Sequence, residues 1–253
     1  MDIQAAAIIM AVISRVPRWF NAQFGYGLKF IDGGRGLLRV ASIVSFGIGL
    51  ILMILALPRL MGAIILLPLE KPVASNISLN AKSRANLDTD ISYRDSALQW
   101  IDDGRIWRDI GLSHIQQARL KGYKSAKGHE YIIKAKFVLM ESAVRAPTNP
   151  FTWAQLAFVE NILTKSSPAV EYALIRSLEN GKYEPRLVFS RLGLALTIWH
   201  DLAAENKAKF IQQIDVAARL DRARLVRIIT RTRSTKLVQS LADADGNPVL
   251  KLK

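Results

Sequence analysis

The side chains that most often perform chemistry are few in this chain, and they stand apart. His114, His129 and His200 are its three histidines, and none has another at the i, i+3 or i, i+4 spacing that sets two imidazoles on one helix face around a metal ion. The acidic clusters are Asp102-Asp103 and the run Asp243-x-Asp245-Gly246-Asn247. The second opens like a calcium loop, but no glycine follows Asn247 and no bidentate glutamate closes it. A turn made by Asp, Gly, Asn and Pro248 accounts for it better. Gly33-Gly34-Arg35-Gly36 lacks the lysine and hydroxyl of a phosphate loop and follows no strand, so it is expected to be a flexible joint. The chain has no cysteine, which excludes disulfides, thiolate metal sites and cysteine nucleophiles together. No catalytic residue, metal or cofactor is expected.

One electrostatic feature has content. Between Arg219 and Lys236 stand Arg219, Arg222, Arg224, Arg227, Arg231, Arg233 and Lys236, with Asp221 as the sole acid. At helical spacing Arg224, Arg227 and Arg231 share a face, and Leu220, Leu225, Ile228 and Ile229 are available for packing. The face fits anionic lipid headgroups, an acidic polymer or an acidic surface of another subunit. Nucleic acid is disfavoured, because no nucleic-acid motif accompanies the charge. A solvated face that merely keeps the chain soluble is the plain alternative.

The elements that must carry this face begin with a membrane segment. Half the residues are hydrophobic although the formal charge is +14, and the apolar ones concentrate between Leu37 and Leu69. Residues 40–57 (VASIVSFGIGLILMILAL) carry no charge and approach the ~20 residues that a helix needs to cross a bilayer. A helix continuing to Pro68 would be about 43 Å long, more than a ~30 Å core requires. Either the span ends near Leu57 with the run after Arg59 at the interface, or a tilted, Pro58-kinked helix continues outward. The first is expected, a span at about 38–57 within a membrane region 37–69, because Arg59 deep in lipid would cost roughly 2.5 kcal/mol or more. Before it, residues 1–36 carry Ile8, Ile9, Val12, Ile13, Val16, Trp19 and Phe20 on one helical face beside Arg15 and Arg18, as an interfacial helix does. The same face would also serve to pack on a partner subunit.

Five basic residues precede the span, against Arg59 and Lys71 close behind it. The positive-inside rule then sets the N-terminus in the cytoplasm. The expected location is a bacterial inner membrane, crossed once, with the remainder of the chain periplasmic. A linker is expected over 70–90, a helical domain over 91–241 and a tail over 242–253. Candidate helices run over roughly 92–103, 105–121, 128–146, 151–164, 168–180, 185–199, 202–216 and 218–241, with breaks at glycine and proline. Strand alternation is scarce, and the fold class is all-α.

A repeat lies inside this domain. Pro147 is followed by Trp153, Leu156 and Ala157, and Ala169 stands sixteen residues beyond the tryptophan. Upstream, Ala135, Leu139 and Ser142 fit the second helix of a preceding hairpin, and Glu184-Pro185 repeats Asn149-Pro150 after 35 residues. The pattern resembles the tetratricopeptide repeat over roughly residues 128–200. The resemblance implies helical hairpins in which Ala135, Ala157 and Ala169 allow close approach and Trp153 and Leu156 fill the space between hairpins. It departs from the repeat at Glu160, where a tyrosine is usual. The run APTNPFTWAQLAFVE with LENGKYEP is also similar to degenerate repeat domains of bacterial membrane proteins that accompany cell-surface polysaccharide assembly. That resemblance implies a non-catalytic adaptor, an accessory subunit in polysaccharide synthesis or export, with membrane lipids and other subunits as partners. A structural subunit of another large membrane complex, an energy-transducing one for example, is the alternative.

The orientation is open to a direct check. A phosphatase fused after Lys253 is expected to be active, and a reporter that works only in the cytoplasm silent; the opposite pattern would put the helical domain inside.

Overall fold

The computed structural model describes residues 34–69 and 81–245. The interfacial helix expected through Ile8 to Phe20 lies wholly outside these residues, and so does the expected linker up to residue 80. The chain divides into two compact units, residues 1–57 and 58–253.

Every described element is a helix. The first, α1 (Gly34–Leu66), includes Gly34, Arg35 and Gly36, so three residues of the expected glycine joint are helical. Ala41–Leu66 is long and apolar enough to cross a membrane. In the first unit its large side chains point away from protein, Phe46 at 74% exposed and Leu55 at 64%, as a helix solvated by lipid requires.

The second unit begins at Pro58, inside α1, and the run expected at the interface continues the helix to Leu66. On this stretch Gly62 is buried, and a Cβ there would stand 2.6 Å from Cγ2 of Ile101. Ile65 and Leu66 join the same cluster, with Ala97, Ile106, Ile110 and Val138 at its centre.

The helices that follow are α2 (Ala81–Leu98), α3 (Gly104–Lys121), α4 (Ala126–Arg145), α5 (Pro150–Thr164), α6 (Pro168–Asn180) and α7 (Pro185–Thr197). A short 3-10 turn, Trp199–Asp201, leads to α8 (Ala204–Leu220), α9 (Arg222–Arg231) and α10 (Thr235–Asp245). Their starts are written in the sequence. Asp103, Ser125, Asn149, Glu184 and Asp221 each accept a hydrogen bond from a backbone N–H of the first turn, satisfying donors that a helix leaves open. Proline opens α5, α6 and α7, where its fixed φ suits the helix and its missing N–H costs nothing.

Three expectations change. The stretch 81–90 is helix rather than linker, because α2 docks on α3 through polar groups at its N-terminal half as well as through Ile91, Ala97 and Leu98, which pack in the cluster of Ile106 and Ile110. Arg94, 4% exposed, pairs with Asp90, whose carboxylate accepts from Ser113 Oγ at 3.2 Å, and Gln117 Nε2 donates to Asp88. The helix expected over 218–241 falls on three helices, the end of α8, all of α9 and most of α10, with breaks at Asp221 and after Arg231. Arg233 takes φ +56, its N–H donates to Thr230 O at 3.1 Å, and Ser234 N–H donates to Ile229 O at 2.9 Å. This is a Schellman ending built on arginine in place of glycine. The expected tail begins as helix, since α10 runs to Asp245 and holds both Asp243 and Asp245.

Among the described residues, every substantial helix contact joins elements one or two places apart. In order, α2 meets α3, α3 meets α4, and so on to α10, while α3 also meets α5, α5 meets α7, and α7 meets α9. One core of Ile132, Leu139, Val159, Leu174, Leu192, Phe210, Ile214 and Ile229 runs through these contacts. Arg191, 1% exposed, closes the end of α6 by donating to Ser177 O at 3.1 Å and Gly181 O at 2.8 Å, and burial pulls its pKa down to about 10.

Helices α3 and α4 approach each other closely at two glycines. A Cβ on Gly111 would stand 2.7 Å from Leu139 Cγ, and one on Gly104 would stand 2.8 Å from Ala146 Cβ. Between them Ser142 Oγ donates to Gly104 O at 2.7 Å and lies 2.9 Å from Thr152 Oγ1, tying α3, α4 and α5 together. Leu139→Ala should cost about 2–5 kcal/mol, by the usual scale for buried leucine. Gly111→Ala should cost about 1–3 kcal/mol of overpacking, offset by about 1 kcal/mol of helix preference. In the Leu139→Ala background the clash is gone, so Gly111→Ala should become stabilising. Denaturant unfolding of the four proteins in a double-mutant cycle measures this; strict additivity would mean the two positions do not touch.

Candidate functional site

The basic face forms on α9. Leu225, Ile228 and Ile229 are buried and fasten the helix to α7 and α8, which turns Arg224, Arg227 and Arg231 outward. Asp221, the N-cap, accepts from Arg224 N–H at 2.8 Å, and its charge is well placed at the positive end of the helix. The Arg224 guanidinium lies 4.4 Å from the centroid of the Phe189 ring. One turn further along α7, Gly193 leaves room beside Arg231, whose Nη2 would be 3.8 Å from a Cβ at that glycine. The structure therefore brings the three arginines to one exposed edge along the α7–α9 contact. Among the described residues, none of the three forms an ion pair with a carboxylate.

A second basic site was hidden by sequence distance. A groove of about 1020 Å³ is lined by Tyr123, Lys124, Ser125 and His129 from the start of α4, by Asn161, Lys165 and Ser166 from the end of α5, and by Thr197 and Ile198 after α7. Its lining contains two lysines and no carboxylate. The same dipeptide, Lys124-Ser125 and Lys165-Ser166, supplies both turns, and this recurrence is the sequence signal that could have marked it. Lys165 holds its place with φ +53, so its side chain leaves the helix end at an angle that helical spacing does not anticipate.

The repeat residues fall into two groups. Ala135, Leu156 and Ala157 are buried in the main core. Pro147 is exposed in the turn after α4, where its carbonyl accepts from Trp153 Nε1 at 2.7 Å. Trp153 is half-buried at the edge of the core and does not fill the space between hairpins: its ring meets Tyr172 edge-on at 5.8 Å, and Arg176 lies over it at 5.7 Å. Ala169 is exposed, and Val170 and Ala173 take the buried face of α6. The offset arises because Pro168 starts α6 one residue before Ala169, on a turn whose outer side is solvent.

The histidines remain separate. His114 lies 2.8 Å from Gln117 through Nδ1 and stacks on Tyr131, and burial holds its pKa below the ordinary histidine value. His129 lines the groove, and His200 sits in the 3-10 turn. Among the described residues no three histidine or acidic side chains are arranged to hold a metal ion. Comparison with family models, with curated proteins and with solved structures finds no match for this chain.

Arg224 and Arg227 should respond differently to truncation. Arg224→Ala should cost about 0.5–1 kcal/mol, the scale of a cation–π contact at an exposed site. Arg227→Ala should stay within about 0.5 kcal/mol of the parent, as surface substitutions do. Thermal unfolding of the two variants measures the difference, and equal effects would mean that Phe189 does not hold Arg224.

Proposed function

We propose that this chain is a non-catalytic, membrane-anchored adaptor whose helical unit is a tetratricopeptide-like array, serving as an accessory subunit of a bacterial envelope complex. The observation that supports it best is the contact pattern. Alternate helices α3, α5, α7 and α9 meet in succession, and each also packs on the helix between. Arrays built in this way use repeated hairpins to present extended surfaces to other proteins and polymers. Ala41–Leu66 supplies the anchor, crossing the inner membrane once, with the N-terminus cytoplasmic and the helical unit periplasmic.

Charge sets the chemistry of the partner. The α9 edge and the Lys124–Lys165 groove are both cationic and lie on a chain of formal charge +14, which favours an acidic partner. An acidic subunit, an acidic polymer and anionic headgroups all satisfy this. Polysaccharide synthesis or export is the assembly implied by the resemblance of residues 146–160 and the hairpin end at 178–185. In this reading Arg224, Arg227 and Arg231 are the contacts that hold the partner.

Affinity purification of the tagged full chain in mild detergent tests the proposal. Envelope-assembly proteins should co-purify, and their recovery should fall by about ten-fold when salt rises from about 50 to about 300 mM, because screening shortens the reach of exposed charges. Replacing Arg224, Arg227 and Arg231 with glutamine should give a similar loss with little change in folding, since exposed charges add little to stability. A parallel Lys124→Gln/Lys165→Gln variant tells the groove from the α9 edge. Recovery that ignores the salt and both variants would remove the basic surfaces from the function.

A further inference from the structure

Helix α4 is apolar on more than the side that faces the core. That side carries the core residues Ile132, Ala135, Leu139 and Ala143. Outside it, Ile133 is 52% exposed, Phe137 63%, Met140 51% and Val144 77%. Their spacing of four, three and four residues is that of a coiled-coil seam. The four form a straight ridge about three turns long, pointing away from the protein. A contiguous ridge of large apolar side chains in water marks a place where something docks.

The ridge is complementary to itself. Set antiparallel against a copy of itself about a two-fold axis, it pairs Phe137 with Met140 and Ile133 with Val144, each twice. The flanking charges match in the same register: Lys134 of each helix comes beside Glu141 of the other. Both are available for this. Lys134 is held by Glu130 and Glu141 by Arg145, in i, i+4 pairs on the same helix that are at least partly exposed, and such pairs exchange at little cost. A parallel pairing would instead need Lys136 to reach Glu141. Lys136 is already committed, 2.8 Å from Glu160, which is 7% exposed. We infer that the outer ridge of α4 is a self-association surface on which a second copy of this chain packs antiparallel, Phe137 against Met140, Ile133 against Val144 and Lys134 against Glu141. The interface is isologous, the arrangement that closes a dimer and stops there.

The absence of cysteine makes the test clean, because an introduced thiol has no competitor in the chain. Full-length copies carrying Phe137→Cys are co-expressed with copies carrying Met140→Cys, and membranes are oxidised with copper phenanthroline. The pair Ile133→Cys with Val144→Cys and the distant control Tyr183→Cys, 69% exposed, are treated alike. The mixed pairs should cross-link about ten-fold faster than the control, since docking raises the local thiol concentration. Lys134→Glu should abolish that advantage in the thiol background, and so should Glu141→Lys, by setting like charges together. Combining both reversals in one chain should restore it. All these positions lie on the surface, so folding is not at stake. Three results overturn the inference: mixed pairs no faster than the control; same-residue pairs fastest, which means parallel packing; or ridge thiols that are shielded from a water-soluble maleimide but never cross-link, which means the ridge faces lipid.

Discussion

Leu139 fills the space where a side chain on Gly111 would have to stand, and around that contact α3 and α4 come close enough for backbone to approach side chain. Ser142 extends the junction to Gly104 on one side and Thr152 on the other. Such proximity demands small residues on the facing sides, and Gly104, Gly111, Ala135 and Ser142 occupy them. Because α4 gives this one face to both α3 and α5, another face is left to the outside. The array and the ridge thus have a common origin: a helix shared between two neighbours has one side covered by both.

The remaining helices follow the same rule with different side chains. Small residues such as Ala157, Ala173, Ala195 and Ala217 are buried there too, and polar groups add to the joints. Arg191 closes the carbonyl end of α6 from α7, and Glu171 on α6 accepts from Ala203 N–H at 2.9 Å and Asn206 Nδ2 at 2.7 Å at the start of α8. Such joints hold neighbours in register without extending further along the chain. What reaches the surface is cationic at two places, the α9 edge and the groove between the Lys-Ser turns.

Legibility in the sequence followed the range of the forces. Helix starts were legible where a cap and a proline coincide, as at Asn149-Pro150 and Glu184-Pro185, because both act within one turn; the start of α9 was missed although Asp221 caps it. The outward face of Arg224, Arg227 and Arg231 was legible too, from the spacing of Leu225, Ile228 and Ile229. The start of α2 was not: its polar surface reads as linker until Asp90 meets Ser113 and Asp88 meets Gln117, partners more than twenty residues away. The break after α9 escaped notice because Arg233 adopts a backbone conformation usually signalled by glycine. Ala169 showed the limit of motif spacing, since matching a repeat by count placed on the buried side a residue that Pro168 sets on the outer turn. The groove was missed because its lysines are 41 residues apart, although the repeated Lys-Ser pair stood in plain view.

The central claim is that stability passes only between neighbouring helices. Hydrogen exchange of the full chain tests it most directly, comparing the parent with Ile228→Ala, a truncation in the buried face of α9. In an array of this kind the loss of protection should stay local. Amides of α7, α8, α9 and α10 should exchange faster, and those of α3 and α4 should be unchanged. An equal acceleration throughout α3 to α10 would show a single cooperative core, and would contradict the account.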